Sequence, residues 1–156
     1  MCGRYNFTVE ESEEMQEIIE NLNAKAKSPF QGKTLKTGEI FPTDLAPILL
    51  EEDNKVTSAA CSWGFPKYGN KGVIINARSE TAFEKKTFRK SLLNCRCIIP
   101  STGFYEWDSS KQKFIFNRSG SKDLYMAGLY AYYGSEMGFV ILTTEANDSM
   151  KDVHSR

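Results

Sequence analysis

The residue with the most unusual chemical placement in this chain is Cys2, which sits between Met1 and Gly3-Arg4. Its side chain is small, so Met1 is expected to be trimmed and the mature chain to begin at Cys2. The free α-amine and the thiol then stand on adjacent carbons. Their reference pKa values, about 7.7–8.0 and about 8.5, leave both partly nucleophilic near neutral pH. Such a 1,2-aminothiol can attack one carbonyl twice: the amine forms a Schiff base with an aldehyde, and the thiol closes a five-membered thiazolidine. Gly3 gives backbone freedom where a substrate must come close. Arg4 sets a permanent cation two residues away, suited to a phosphate. The plain alternative is that Cys2 is simply the second residue of a strand.

The chain holds one histidine, His154. Any Cys–His or Ser–His system must use it or do without. Val153-His154-Ser155-Arg156 would pair an acid/base with a phosphate anchor, although a lone histidine near a chain end is often a surface residue. Glu106 lies in Phe104-Tyr105-Glu106-Trp107, where strand alternation puts Phe104 and Glu106 on one face. Crowding by aromatics would raise its pKa and suit it to general acid–base work; an exposed edge-strand glutamate is the alternative. Asn76 and Arg78 follow the apolar run Val73-Ile74-Ile75. Asn76 could orient an oxygen or the N-terminal amine and Arg78 could hold a phosphate, with turn capping and a surface ion pair as the ordinary alternatives.

Composition bounds what these residues can serve. One domain is expected from 156 residues, enough to bury roughly 70% of the unfolded surface. No apolar run approaches the ~20 residues of a membrane span, and no signal peptide is expected ahead of Cys2. Cys2, Cys61, Cys95 and Cys97 lack a secreted-scaffold spacing and read as reduced thiols in the cytoplasm. Cys95-x-Cys97 has no second pair beside it, so neither metal nor cofactor is expected. Formal net charge is zero, so nucleic-acid binding needs a local patch. Lys67, Lys71, Arg78, Lys85, Lys86, Arg89, Lys90 and Arg96 share one segment, just after Trp63, Phe65 and Tyr68. Cations beside exposed aromatics suit single strands, while Lys85 to Lys90 read more simply as a solvated helix face.

The elements that must position these groups are legible in outline. A strand at Tyr5-Asn6-Phe7 precedes a capping box, Thr8-Val9-Glu10-Glu11, and an acidic helix to about Ala24 with Met15, Ile18, Ile19 and Leu22 as its apolar stripe. Lys25 to Glu39 reads as loop. Strands are predicted at Leu45–Leu50, Val56–Trp63, Val73–Ile75, Arg96–Ile99, Phe104–Trp107, Phe114–Phe116, Leu124–Ala127 and Phe139–Leu142, with a helix from about Thr81 to Asn94. Pro100–Gly103 reads as a turn, and Thr144 as the cap of a last short helix. Strands follow one another directly, so the sheets should be mainly antiparallel.

Taken in order, Met1-Cys2-Gly3-Arg4-Tyr5, Trp63-Gly64, Ile75-Asn76-Ala77-Arg78-Ser79-Glu80, Arg96-Cys97-Ile98-Ile99-Pro100, Gly103-Phe104-Tyr105-Glu106-Trp107, Leu142-Thr143-Thr144-Glu145-Ala146-Asn147 and Val153-His154-Ser155-Arg156 resemble the SOS-response-associated peptidase-like (SRAP) domain. The resemblance implies a single α+β domain on mainly antiparallel, barrel-like sheets with a few peripheral helices. It also implies capture of abasic sites in single-stranded DNA by mature Cys2, as a stable thiazolidine crosslink. Cys2, Asn76, Glu106 and His154 would form the active site. Arg4, Arg78 and Arg156 would hold phosphates, and Trp63 and Trp107 would lie near the bases or the site. Peptidase activity would be best attested as self-removal of Met1. Many relatives carry a Tyr-Asn-Val-Ala-Pro-like stretch where this chain has Ile40 to Pro47, so no DNA contact is assigned to that loop. Relatives also continue beyond the position of Arg156, so residues 1–156 are expected to be such a domain lacking its C-terminal segment.

A cytoplasmic monomer acting on single-stranded DNA with abasic sites, and associating with the nucleoid when bound, is the leading expectation. An N-terminal-nucleophile amidase or peptidase using Cys2, and a non-catalytic single-strand binding module, are the alternatives. The aminothiol chemistry makes a first prediction: intact mass spectrometry of active protein will find a chain beginning at Cys2. Active protein that retains Met1 would remove the mechanism.

Overall fold

A closed ring of five strands cannot be wholly antiparallel, because alternating directions need an even number. That parity sets the topology around the site. The computed structural model describes residues 2–10, 12–25 and 32–156. Its elements are β1 (Arg4–Phe7), α1 (Glu13–Lys25), β2 (Gly38–Ile40), β3 (Leu45–Glu52), β4 (Lys55–Trp63), β5 (Phe65–Pro66), β6 (Val73–Ile74), β7 (Asn76–Arg78), α2 (Lys86–Asn94), β8 (Arg96–Ser101), β9 (Gly103–Trp107), β10 (Lys113–Phe116), β11 (Leu124–Tyr133) and β12 (Glu136–Thr143). Strands β11, β8, β3, β4 and β12 close into a barrel through the β11–β12 pairing. The one parallel contact that parity requires is β4 with β12, and β7 adds outside the ring, also parallel to β12. A separate antiparallel sheet runs β10-β9-β1-β2. The single α+β domain on mainly antiparallel, barrel-like sheets is therefore as expected.

The β3–β4 hairpin turns at Asp53 and Asn54, both at positive φ (52° and 59°), the two-residue turn whose twist matches its strands. One apolar core joins the two sheets and α1. It contains Tyr5 and Phe7 from β1, Met15, Ile18 and Leu22 from α1, and Ile48, Trp63, Ile99 and Phe139 from the barrel. A second cluster, including Phe65, Phe88, Leu129 and Val140, lies where α2 packs on the barrel. No helix among the described residues is long and apolar enough to cross a membrane.

Several local expectations need correction. The capping box falls partly outside the described residues because of Glu11, and the cap observed is Ser12, whose Oγ accepts the Met15 N–H at 3.2 Å. Of the expected loop from Lys25 to Glu39, residues 26–31 lie outside the described residues, Lys25 closes α1, and Gly38 and Glu39 belong to β2. The second helix starts at Lys86 rather than Thr81: Ala82 is the buried residue there and Phe83 is half exposed, so the apolar stripe does not extend back as a continuous helix. The turn at Pro100–Gly103 shrinks to Thr102, which accepts from Asn6 Nδ2 and Thr8 N–H and so ties β1 to the β8–β9 corner. Thr144 caps no helix; residues 148–153 form turns instead, and the Asn147 side chain accepts from Ser149.

Close strand packing leaves no room at Gly128. A Cβ there would lie 2.8 Å from the Val140 backbone oxygen and 2.2 Å from Ile99 Cδ1. Gly128→Ala is expected to destabilise by about 1–3 kcal/mol, read as a lower urea midpoint with an unchanged slope. An unaltered midpoint would mean that the barrel yields there freely.

Candidate active site

β1 starts two residues after Cys2 and lies between β9 and β2, with Arg4 opposite Tyr105. This register brings the N-terminal end of the chain beside Glu106. Cys2 is 6% exposed and Glu106 3%. Both line a cavity of about 200 Å³, together with Phe104, Thr143 and Thr144 at the end of β12, and Arg156, which bonds Thr143 O. Strand alternation turned Phe104 and Glu106 to one face, as expected.

The thiol departs from its sequence expectation. Sγ donates to Arg4 O at 3.5 Å. Burial pushes the thiol up from an ordinary 9.0 to about 12; the bond to Arg4 opposes this, and the nearby Glu106 charge adds to it. A partly ionised thiol near neutral pH holds only for a solvated cysteine. Here the group stays S–H, because a thiolate would be stranded in a low-dielectric pocket.

Asn76 is the first residue of β7, paired with Ile141 of β12. Its Nδ2 donates to Cys2 O at 2.7 Å, which joins the barrel edge to the start of the other sheet. Its buried Oδ1 finds no hydrogen-bond partner among the described residues. The preceding carbonyl, Ile75 O, accepts from Trp63 Nε1 and from Ile141 N–H, each at 3.0 Å. Trp63 is fully buried, edge-on to Tyr5 at 5.2 Å and stacked on Phe139 at 6.2 Å. Of the two places expected for Trp63, near the bases or near the site, its complete burial leaves the second: its indole holds the backbone that presents Asn76.

Arg156 Nη2 bonds Glu80 Oε2 at 2.6 Å and Thr143 O at 3.2 Å while lining the cavity. His154 is half-buried next to it. Its Nδ1 accepts the Arg156 N–H at 3.1 Å and its own N–H reaches Met150 O at 3.0 Å. It is not among the cavity-lining residues, although Met150 and Arg156 are. Arg78 is exposed on β7. Arg4 and Trp107 sit on the outward face of the β10-β9-β1-β2 sheet, with the Arg4 guanidinium 5.0 Å from the Trp107 ring and 4.4 Å from that of Phe41. Cys2, Asn76, Glu106 and Arg156 are therefore brought together; Arg78, Arg4 and Trp107 lie apart from the cavity, and Trp63 lies in the core. Residues passed over in the sequence are Thr143 and Thr144 in the cavity, and Glu39, Phe41 and Lys113 around Arg4. A three-residue strand such as β2 shows no alternation long enough to assign a face.

A family model described as SOS response associated peptidase (SRAP) matches residues 1–156. The chain is similar to the abasic site processing protein YoaM of Bacillus subtilis, 33% identical over all of this chain and 73% of that protein. It is also similar to the abasic site processing protein YedK of Escherichia coli, at 26% over all of this chain and 73% of that one. A crystal structure of a Bacteroides thetaiotaomicron protein shares the fold with a TM-score of 0.70 at 20% identity, covering 97% of this chain and 72% of that one.

Cys61 and Cys97 are also held above the ordinary thiol range by burial. The folded chain therefore keeps these protons to higher pH than the unfolded chain does. Their contribution to stability is complete below the unfolded pKa near 9.0 and is lost as pH rises through the folded values. The expected loss is up to about 1.4 kcal/mol per pH unit per thiol, seen as urea midpoints that fall above pH 9. Iodoacetamide should label Cys2 slowly in folded protein at pH 8 and rapidly in urea; equal rates would show that the thiol is not desolvated.

Proposed function

The chain belongs to the SOS response associated peptidase (SRAP) family, and on that premise we propose that it processes abasic sites in DNA by covalent capture on Cys2. The observation that carries this reading is the cavity shared by Cys2 and Glu106, with the Cys2 carbonyl held by Asn76. In mature protein the Cys2 amine belongs to the residue whose carbonyl Asn76 already holds, and it supplies the donor that Asn76 Oδ1 lacks.

The substrate is single-stranded DNA whose abasic sugar exists mostly as a closed hemiacetal. Glu106 takes the proton of the anomeric hydroxyl and returns it to the ring oxygen as the ring opens. His154, a neutral imidazole whose Nδ1 accepts from the Arg156 N–H, supports that oxygen by a hydrogen bond from Nε2 rather than by giving up a proton. The amine adds to the aldehyde carbon, and water leaves to give the Schiff base. The Cys2 sulfur then bonds to that same carbon. Its proton must be taken up locally, since a thiol pushed up to about 12 is not ionised at neutral pH; of the two carboxylates lining the cavity, Glu106 and Glu145, Glu106 is the one whose charge acts on the thiol. The iminium nitrogen receives the electron pair of the C=N bond, closing a thiazolidine with one water released overall.

Arg156 and exposed Arg78 hold phosphates, and Arg4 and Trp107 meet the strand outside the cavity. The protein acts as a monomer in the cytoplasm, on the nucleoid when bound, shielding damaged DNA during repair.

Incubation with an oligonucleotide carrying one abasic site should give a protein–DNA band that survives boiling in detergent. Cys2→Ala keeps an amine and loses the thiol, so its adduct should persist only after borohydride reduction. Glu106→Gln should form the same product roughly 10²–10⁴-fold more slowly. A Cys2→Ala adduct of wild-type stability without reductant would rule out the thiazolidine.

A further inference from the structure

The outward face of the β10-β9-β1-β2 sheet holds a charge cluster that the cavity chemistry does not use. Lys113 pairs with Trp107 across β9–β10, as Arg4 pairs with Tyr105 across β1–β9. The Arg4 guanidinium packs on Phe41 and Trp107. Lys113 Nζ lies 3.9 Å from the Tyr105 ring centroid. Both cations turn to a single oxygen: Glu39 Oε1 is 3.2 Å from Arg4 Nη1 and 2.6 Å from Lys113 Nζ. The three side chains are about one-third exposed, at 32% for Arg4 and Glu39 and 38% for Lys113.

Two cations converging on one oxygen form an anion site, and an internal carboxylate fills it. Rings rather than the carboxylate carry much of the positioning, because each cation rests on an aromatic face of its own. The site would therefore survive departure of Glu39. Exposed ion pairs of this kind are weak, and a phosphate offers an arginine two oxygens at once, so exchange is feasible. Arg4 is two residues from Cys2, which puts this anion site within the reach of a strand whose sugar enters the cavity.

We propose that Glu39 is a built-in stand-in for a DNA phosphate: it occupies the anion site of Arg4 and Lys113 and yields it when a strand binds. The inference rests on the reading of DNA at Cys2 and adds a competing group to it. Undamaged strands must displace Glu39 to bind, which lowers affinity for DNA that offers nothing to capture. Lys113 then holds a phosphate alongside Arg4.

The test compares E39Q with wild type, using an undamaged oligothymidylate and fluorescence anisotropy over a salt series. E39Q should bind roughly threefold to tenfold tighter at low salt. Its plot of log affinity against log salt should be steeper by about 0.7 for each further phosphate that the freed cations neutralise. E136Q removes the same charge from the distant Lys33–Glu136 pair and should leave the slope unchanged. Weaker binding or a flatter slope in E39Q would mean that Glu39 organises the cations, and would overturn the proposal with the DNA reading intact. Equal strengthening in E39Q and E136Q would reduce the effect to net charge and overturn it too. If neither wild type nor E39Q binds the strand, the DNA reading itself fails. Inorganic triphosphate then decides the anion site, with tighter binding to E39Q supporting it and equal binding overturning it.

Discussion

The buried indole of Trp63 is the contact on which the rest of the arrangement depends. It touches Tyr5 of β1 on one side and Phe139 of β12 on another, and its Nε1 donates to Ile75 O just ahead of Asn76. One side chain thus sets the four-stranded sheet against the barrel and fixes the backbone that delivers Asn76 to Cys2. A fully buried aromatic of this size is worth about 3–5 kcal/mol against truncation. That is a large share of the roughly 5–15 kcal/mol that hold a domain together. The position is also where an odd-stranded barrel must place its parallel pair. Trp63 ends β4 opposite Phe139 of β12, and β7 continues the same parallel arrangement on the other side of β12.

Burial shapes the chemistry as strongly as it shapes the fold. A desolvated thiol gives up ready ionisation, and a neighbouring carboxylate raises its pKa further. In the proposed sequence this costs little, because the amine attacks first and the thiol acts only after the iminium has formed. The carboxylate that disfavours the thiolate is then placed to accept the proton as sulfur bonds to carbon. Thr143 and Arg156 complete the wall, and the Arg156–Glu80 pair anchors Arg156 beside it. Asn76 adds direction without charge, since its amide neither gains nor loses a proton in this range.

Outside the cavity the electrostatics run differently. Arg4, Lys113 and Glu39 share solvent with aromatic rings, so their mutual attraction is screened and exchangeable. Inside, Glu106 and Cys2 interact in a poorly hydrated space where each charge is felt more strongly. The two faces of β9 therefore carry separate tasks: Glu106 points to the buried side, Tyr105 and Trp107 to the exposed one.

Local pattern was enough to find most of the strands, the stripe on α1, the inward turn of Glu106 with Phe104, and the chemical oddity of Cys2, because each is a matter of residue type and period along a short stretch. The motifs were likewise enough to indicate the family. What the linear order could not contain was closure. The barrel, its parallel β4–β12 seam and the seating of β1 beside β9 arise from pairings of residues as many as about a hundred positions apart. Those pairings decided that Trp63 is core rather than a stacking surface, that the Cys2 thiol loses its solvent and its easy ionisation, and that Glu39 meets Arg4 and Lys113. Burial and long-range charge are properties of the assembled sheet, so residue type alone could nominate these side chains but only the tertiary structure could settle which of them face water, which face each other and which face the cavity.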